Sequence, residues 1–349
     1  MKHLVDKLAR GHSLDAHEYH KLIQDCDEST FDYLRSEAVA MLVKRFGTGI
    51  YVRGLIEVSS FCRNNCRYCG LRCENNAGER YRLSDDEILS CCERGYGAGL
   101  RTFVLQGGED VYFSDERLVA LVSRIKEKYS DAAITLSMGE RSRESYEQLF
   151  AAGASRYLLR HEAASQELYG YLHPNNMSLQ NRLLCIENLK AIGYQVGMGM
   201  MIGVPGQTVD HLVEDLLLMK EYNPHMIGIG PFIPHRETPF ASASPGDLRQ
   251  TLILLSIVRL MFPDALVPAT TALSTLDAEG RKQGILSGAN VVMPNLSPAD
   301  VRDKYSIYDN KRATGAESVE CINLLERELS SIGYHIDYSR GDYKIYGNE

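Results

Sequence analysis

Apolar residues recur along the chain at two different spacings. Over residues 1 to about 48, Leu4, Leu8, Leu22, Ile23, Phe31, Leu34, Val39, Leu42 and Val43 return at steps of three and four, which predicts a helical preface. From Tyr51 onward, short β-rich runs alternate with longer amphipathic stretches. The runs predict strands over 51–59, 102–107, 133–138, 156–161, 196–202, 227–232, 265–271 and 289–293. Helices are predicted over 84–97, 114–128, 143–152, 178–191, 208–221, 246–261 and 277–286, with a further one over 317–331. Ser84 followed by Glu87 has the form of a capping box that opens the first of these.

Eight strand-helix alternations are what a closed parallel barrel requires, and they predict an α/β fold, a (βα)8 TIM-type barrel with an N-terminal helical extension and a C-terminal helix. A doubly wound open sheet alternates in the same way, and periodicity alone does not show closure. No low-complexity tract or linker divides the chain. The expected organisation is therefore an extension over 1–48, a barrel over 49–300 and a barrel-closing segment over 301–349. A chain of 349 residues with 44% hydrophobic content can bury such a core. The formal charge of −8 offers no basic footprint for nucleic acid. The start, Met1 to Lys7, has no apolar signal core, and no apolar run approaches the roughly 20 residues that span a bilayer. A soluble, cytoplasmic protein with reduced thiols, and no membrane partner, is expected.

Nine cysteines, at 26, 62, 66, 69, 73, 91, 92, 185 and 321, are an odd count and make a poor disulfide framework. Three of them form the run Cys62-Arg63-Asn64-Asn65-Cys66-Arg67-Tyr68-Cys69, directly after the first predicted strand. A structural zinc site wants four ligands, and neither a second C-x2-C pair nor histidines at finger spacing accompany the triplet. C-x3-C-x2-C can instead hold three corners of a cubane iron-sulfur cluster and leave one iron open to an exchangeable ligand. Cys73, after Gly70-Leu71-Arg72, reads as a spare thiol, and Cys91, Cys92, Cys185 and Cys321 as helix-packing residues.

In a barrel, chemistry sits at the C-terminal ends of the strands. Those ends carry, in order, the cysteine loop; Gln106-Gly107-Gly108-Glu109-Asp110; Thr135, Ser137 and Gly139-Glu140; and Arg160-His161-Glu162. Then come Met198 to Met201 with Gly203-Val204-Pro205-Gly206-Gln207-Thr208, Gly228 to His235, Pro268-Ala269-Thr270-Thr271 and Met293-Pro294-Asn295. Arg160 and Glu162, alternate residues of one strand, would share a face and need partners such as each other, Arg182 or a zwitterionic ligand. Gly107-Gly108 would allow close backbone approach, and Gly203 to Gly206 reads as a turn opening a helix capped by Thr208.

Cys62, Cys66, Tyr68 and Cys69, in C-x3-C-x-aromatic-C form before a βα series, resemble the radical S-adenosylmethionine (SAM) enzymes. Within them, Leu158 to Glu162, Gly203 to Thr208, Gly228 to His235, Pro268 to Thr271 and Ala289 to Asn295 look like the FeFe-hydrogenase H-cluster maturase HydE family. The resemblance runs from about residue 1 to 335. It implies one 4Fe-4S cluster on Cys62, Cys66 and Cys69, and SAM bound to the open iron and reductively cleaved to a 5′-deoxyadenosyl radical. Tyr68, Gln106, Ser137, Glu162, Arg182, Met201 and Ile229 would surround SAM. Thr135, Arg160, Thr270, Thr271, Met293, Tyr305 and Tyr308 would contact the substrate, understood in this family as a small iron-cysteine complex bearing carbon monoxide and cyanide. Its processing serves assembly of the hydrogenase di-iron subsite. The implied partners are a reductant such as ferredoxin or flavodoxin and other hydrogenase maturases, in an anaerobic setting.

One departure stands out. Some relatives have three further cysteines near the C-terminus for a second cluster, whereas Ala313 to Leu325 keeps only Cys321 here, so no second cluster is expected. The alternative is another small-molecule enzyme of the same branch. Biotin synthase would need extra cysteines and an arginine for a 2Fe-2S cluster where Thr270-Thr271 stand. Methylornithine synthase, which isomerises lysine, is closer.

Overall fold

The structure, a computed structural model, describes residues 1–312 and 315–344. Six strands, Gly54–Ser59, Thr102–Gly107, Ala133–Ser137, Ala154–Leu158, Gln195–Met198 and Met226–Ile227, pair side by side in chain order, all parallel. The ring then closes through single bridges, Met226 to Leu266 and Pro268 to Val291. Val291–Val292 pairs with Tyr51 and Val52 of the strand Gly49–Val52, which leads directly into Gly54–Ser59, and Asn295 bridges to Leu55 of the latter. Every neighbour in the circle is parallel, so the sheet is a closed eight-position barrel and not an open doubly wound sheet.

The seventh and eighth positions are thinner than the sequence predicts. Within 265–271 only Leu266 and Pro268 make bridges, and within 289–293 only Val291–Val292 is a strand. Pro268 has no backbone N–H to give the ladder, and the chain already turns into the helix Thr271–Leu276. Side chains supply what the ladder lacks. The fully buried Arg259 donates to the carbonyls of Gly288 at 2.8 Å and Ala265 at 2.9 Å and to Asn290 Oδ1 at 3.1 Å, and that same Oδ1 accepts from Val267 N at 2.7 Å.

The outer helices sit close to their predicted spans: Asp85–Gly97, Asp115–Lys128, Arg143–Ala151, Leu179–Ile192, Val209–Tyr222 and Leu248–Met261. Ser84 and Glu87 form the reciprocal capping box. Two predicted helices shrink, to Gly280–Ile285 and Ile322–Ser330, and a short one, Gln166–Leu172, has no counterpart in the sequence pattern. The preface is three helices, Lys2–Gly11, Ala16–Gln24 and Glu28–Phe46, which pack on Leu248–Met261 and explain why every residue from Thr251 to Met261 is buried. No helix among the described residues is long and apolar enough to cross a membrane.

The C-terminal stretch covers the lower end of the barrel, where the strands begin. His335–Asp337 adds beside Gly49–Tyr51, and the following residues cross beneath. Thr102 Oγ1 donates to Arg340 O at 2.8 Å, and Arg156, wholly buried inside the barrel, meets Asp342 Oδ1 at 2.6 Å. Part of the predicted closing segment 301–349, residues 313, 314 and 345–349, lies outside the described residues. Asp342→Ala would leave the Arg156 guanidinium buried without its counter-charge and should lower stability by about 3 kcal/mol, read as a fall in the chemical-denaturation midpoint.

Candidate active site

The first strand delivers the chain into the cysteine loop through Ser59, whose hydroxyl donates to Asp110 Oδ2 at 2.6 Å and accepts from Phe61 N at 3.0 Å. Arg82 grips the same carboxylate with two hydrogen bonds, at 2.7 and 3.0 Å. Arg80 acts as an internal staple, donating to the carbonyls of Ser60, Leu71, Arg72 and Asn75 around the loop. Gly107 lines the cavity, and Gly108 is required by packing. A Cβ there would stand 2.4 Å from Phe61 O and 2.6 Å from Cys62 Cβ. Burial, reinforced by the neighbouring cysteines, pushes the thiols of Cys66 and Cys69 up, the latter to about 12, and burial raises Cys62 as well.

Cys69 and Tyr68 open onto a cavity of about 320 Å³ in the barrel mouth. Glu162 ends the fourth strand position in a left-handed conformation, φ 67°, with Arg160 Nη2 donating to its Oε2 at 2.7 Å. The expected strand alternation does not produce this pairing, because the regular strand stops at Leu158. A non-glycine residue at positive φ is a strained geometry of the kind that collects at functional sites. Arg182 pairs with Glu140 at 2.7 Å and donates to Arg160 O at 3.2 Å. On the opposite wall Lys311 lies 2.6 Å from the fully buried Glu57, and Tyr305 OH accepts from Gln106 Nε2 at 3.3 Å. Tyr68 OH lies 3.2 Å from His173 Nε2. Since Nδ1 of that ring donates to Tyr169 O, Nε2 is the acceptor and the tyrosine the donor. Burial lowers His173 to about 4, which keeps it neutral.

A family model described as the Radical SAM superfamily matches residues 56–250. The "[FeFe] hydrogenase maturase subunit HydE" of Thermotoga maritima is 43% identical over 290 residues, 83% of this chain and 82% of that protein. The chain belongs to the radical SAM superfamily, in its HydE family. A "3-methylornithine synthase" of Methanosarcina acetivorans is 29% identical over 84% of this chain and 83% of its own. The crystal structure of methylornithine synthase (PylB) matches with a TM-score of 0.86 at 28% identity, covering 96% of this chain and 97% of that one.

Radical SAM enzymes use a 4Fe-4S cluster and SAM, and the residues here fit both. The three thiols of one loop are the C-x3-C-x2-C donor set of a cubane cluster; burial keeps them neutral thiols, so binding iron there would release their protons, and Asn64 N lies 3.4 Å from Cys62 Sγ. Among the described residues no group of His, Cys, Asp and Glu is arranged to hold a single metal ion. The cavity beside Cys69 presents both charged and hydroxyl groups, and the Thr270 hydroxyl and Arg160 Nε have no hydrogen-bond partner within the chain.

Of the residues singled out in the sequence, Tyr68, Gln106, Ser137, Glu162, Arg182 and Met201 line this cavity, as do Arg160, Thr270, Thr271, Met293, Tyr305 and Tyr308. Two do not. Ile229 is fully buried in the core, because it alternates with Gly228 and Gly230, which do line the wall. Thr135 lies one layer deeper than Ser137 on the same strand, buried, with its hydroxyl unpartnered. Cys73 is exposed, and Cys91, Cys92 and Cys185 are buried on helices; of the stretch from Ala313 to Leu325, residues 313 and 314 lie outside the described residues. Glu57, Lys311, His173 and Arg80 carry no motif and were not foreseen.

Burial alone would raise the Asp110 carboxyl, but hydrogen bonds from Arg82, Ser59 and Tyr112 N outweigh it and hold it below the ordinary carboxylate range. Its stabilising contribution is therefore complete above the unfolded aspartate value and is lost as pH falls through the lower folded one. Asp110→Asn should cost about 1–3 kcal/mol at pH 7 and show less loss of stability than wild type on acidification. Denaturant melts between pH 7 and 3 check both.

Proposed function

We propose that this chain acts, with its cluster and SAM, on a small iron-cysteine complex bearing carbon monoxide and cyanide during assembly of the FeFe-hydrogenase di-iron subsite. The observation that carries this reading is one continuous cavity. It is lined by Cys69 and Tyr68 at one side and by Thr270, Thr271, Tyr305 and Tyr308 at the other, so cofactor and substrate would share one space. The relative at 43% identity, named a hydrogenase maturase, supports it.

Cys62, Cys66 and Cys69 would hold the cluster, and Tyr68, Gln106, Ser137, Glu162 and Arg182 would hold SAM against Met201. When bound, the pair supplies one-electron cleavage of the sulfonium and a carbon-centred radical, with the electron coming from a ferredoxin- or flavodoxin-type reductant. The protein's own part is placement and exclusion of water. Tyr68 is fixed by a neutral His173, and Glu162 is oriented by Arg160, so the groups facing SAM would be set before it arrives. Thr270, Thr271, Tyr305, Tyr308 and Met293, with Arg160 at the boundary, would offer hydroxyls and one cation to a small anion carrying polar diatomic ligands.

Anoxic incubation of reconstituted protein with SAM, dithionite and the iron-cysteine complex should consume the complex and release 5′-deoxyadenosine or its adduct, followed by mass spectrometry and electron paramagnetic resonance. Lysine in place of the complex should yield no isomer. A lysine isomer with the complex untouched would instead support the methylornithine-synthase reading. Cys66→Ala should abolish both the brown cluster absorbance and SAM cleavage, and retention of full activity would end the radical reading.

A further inference from the structure

We propose that Lys311 is a second anion-recognising residue of the substrate cavity, beside Arg160, and that Glu57 is its resting counter-ion, an assignment that rests on the substrate reading above. Both residues line the cavity, yet their side chains are only 9% and 0% exposed. The carboxylate is anchored. Its Oε2 accepts from Asn295 Nδ2 at 2.9 Å, while the backbone N of Glu57 donates to Ser297 Oγ at 2.8 Å. The ammonium is much less committed. It lies 2.6 Å from Glu57 Oε1 and 5.2 Å from the Tyr305 ring centroid, but makes no well-aligned hydrogen bond, so most of its three donors are unspent.

Of the other two cations in the cavity wall, Arg182 is held from two sides, and Arg160 is held by Glu162 with its Nε left unpartnered. Arg160 donates to Glu162, and Arg182 is paired with Glu140 and donates to Arg160 O. A flexible ammonium can swing from a carboxylate to an incoming anion without losing its stem packing, whereas the Arg182 fork, fixed by two partners, cannot.

The pair is also unnecessary as a latch. The segment carrying Lys311 is tied to the mouth elsewhere: Gly70 N donates to Ile307 O at 2.9 Å, Asp309 N donates to Pro234 O at 3.1 Å, and Arg236 reaches Asp309 at 3.2 Å. An ion pair buried in an apolar wall stabilises a fold less than two packed hydrophobic side chains would. Its place in the cavity lining, with donor capacity to spare, points to a ligand. That ligand is a small anion, here a carboxylate or an anionic ligand of the iron complex.

The test is the dissociation constant of the iron-cysteine complex, measured by anoxic equilibrium dialysis with iron counted on both sides, for wild type, Glu57→Gln and Glu57→Gln/Lys311→Met. Glu57→Gln is isosteric and removes the competing carboxylate, so binding should tighten about three- to tenfold. The neutral double variant should bind about ten- to a hundredfold more weakly than wild type, the loss expected for one charge-assisted hydrogen bond. Should the double variant not fold, the direction of the Glu57→Gln change decides alone. An unchanged or weaker affinity in Glu57→Gln overturns the assignment, because a purely structural pair gives no reason for tighter binding. If wild type neither binds nor turns over the complex, the substrate reading falls and this assignment with it. If wild type turns the complex over and both variants keep its affinity, only this assignment falls.

Discussion

Burial raises the thiols of Cys62, Cys66 and Cys69, and their neighbours' charge adds to it at Cys66 and Cys69, so the loop can carry three thiolates only around a cationic centre. The loop is nevertheless held before any such centre binds. Arg80 occupies four of its carbonyls from inside, the Arg82–Asp110–Ser59 cluster fixes where it leaves the first strand, and Gly108 leaves room for Cys62 and no more. Preorganisation of this kind moves the ordering cost from cofactor binding to folding.

The two ends of the barrel are treated differently. The lower end is plugged by the C-terminal stretch, with Arg156 and Arg53 reaching Asp342 and Gly341 inside it. The upper end keeps its cavity, and the charges there come in pairs on facing walls: Arg160 with Glu162, Lys311 with Glu57. Paired charges keep the cavity foldable without a ligand and leave local dipoles for polar groups to engage. The positive φ at Glu162 is a cost carried by the same wall, and its N–H bond to Gly199 O at 3.1 Å helps to hold it.

Much of this was legible in the sequence because it follows from period and spacing. The long amphipathic helices and the first six strands are repeated local patterns, and the cysteine triplet, Gln106, Arg160, Glu162 and the two threonines at 270–271 stand at strand ends where a core strand would not place them. The seventh and eighth positions are thinner than their apolar runs suggest: Pro268 gives the ladder no N–H, the chain turns into a helix at Thr271, and only Val291–Val292 pairs in the eighth. Ile229 lies behind the cavity wall in the core, because it alternates with Gly228 and Gly230, and the sequence alone does not show which way it faces. Glu57 and Lys311 meet across 254 positions of sequence, and His173 reaches Tyr68 from a helix the pattern did not show. Contacts of that range arise from closure of the barrel, which no local signal encodes.

The central claim is a three-thiolate cluster with one iron left for SAM at the mouth of this cavity. Mössbauer spectroscopy of anoxically reconstituted, ⁵⁷Fe-enriched protein, with electron-nuclear double resonance on isotopically labelled SAM, tests it directly. The expected result is one four-iron cluster per chain, with a unique iron that couples to the amino and carboxylate groups of SAM. A cluster capped by protein side chains at all four irons, or zinc in its place, would contradict it.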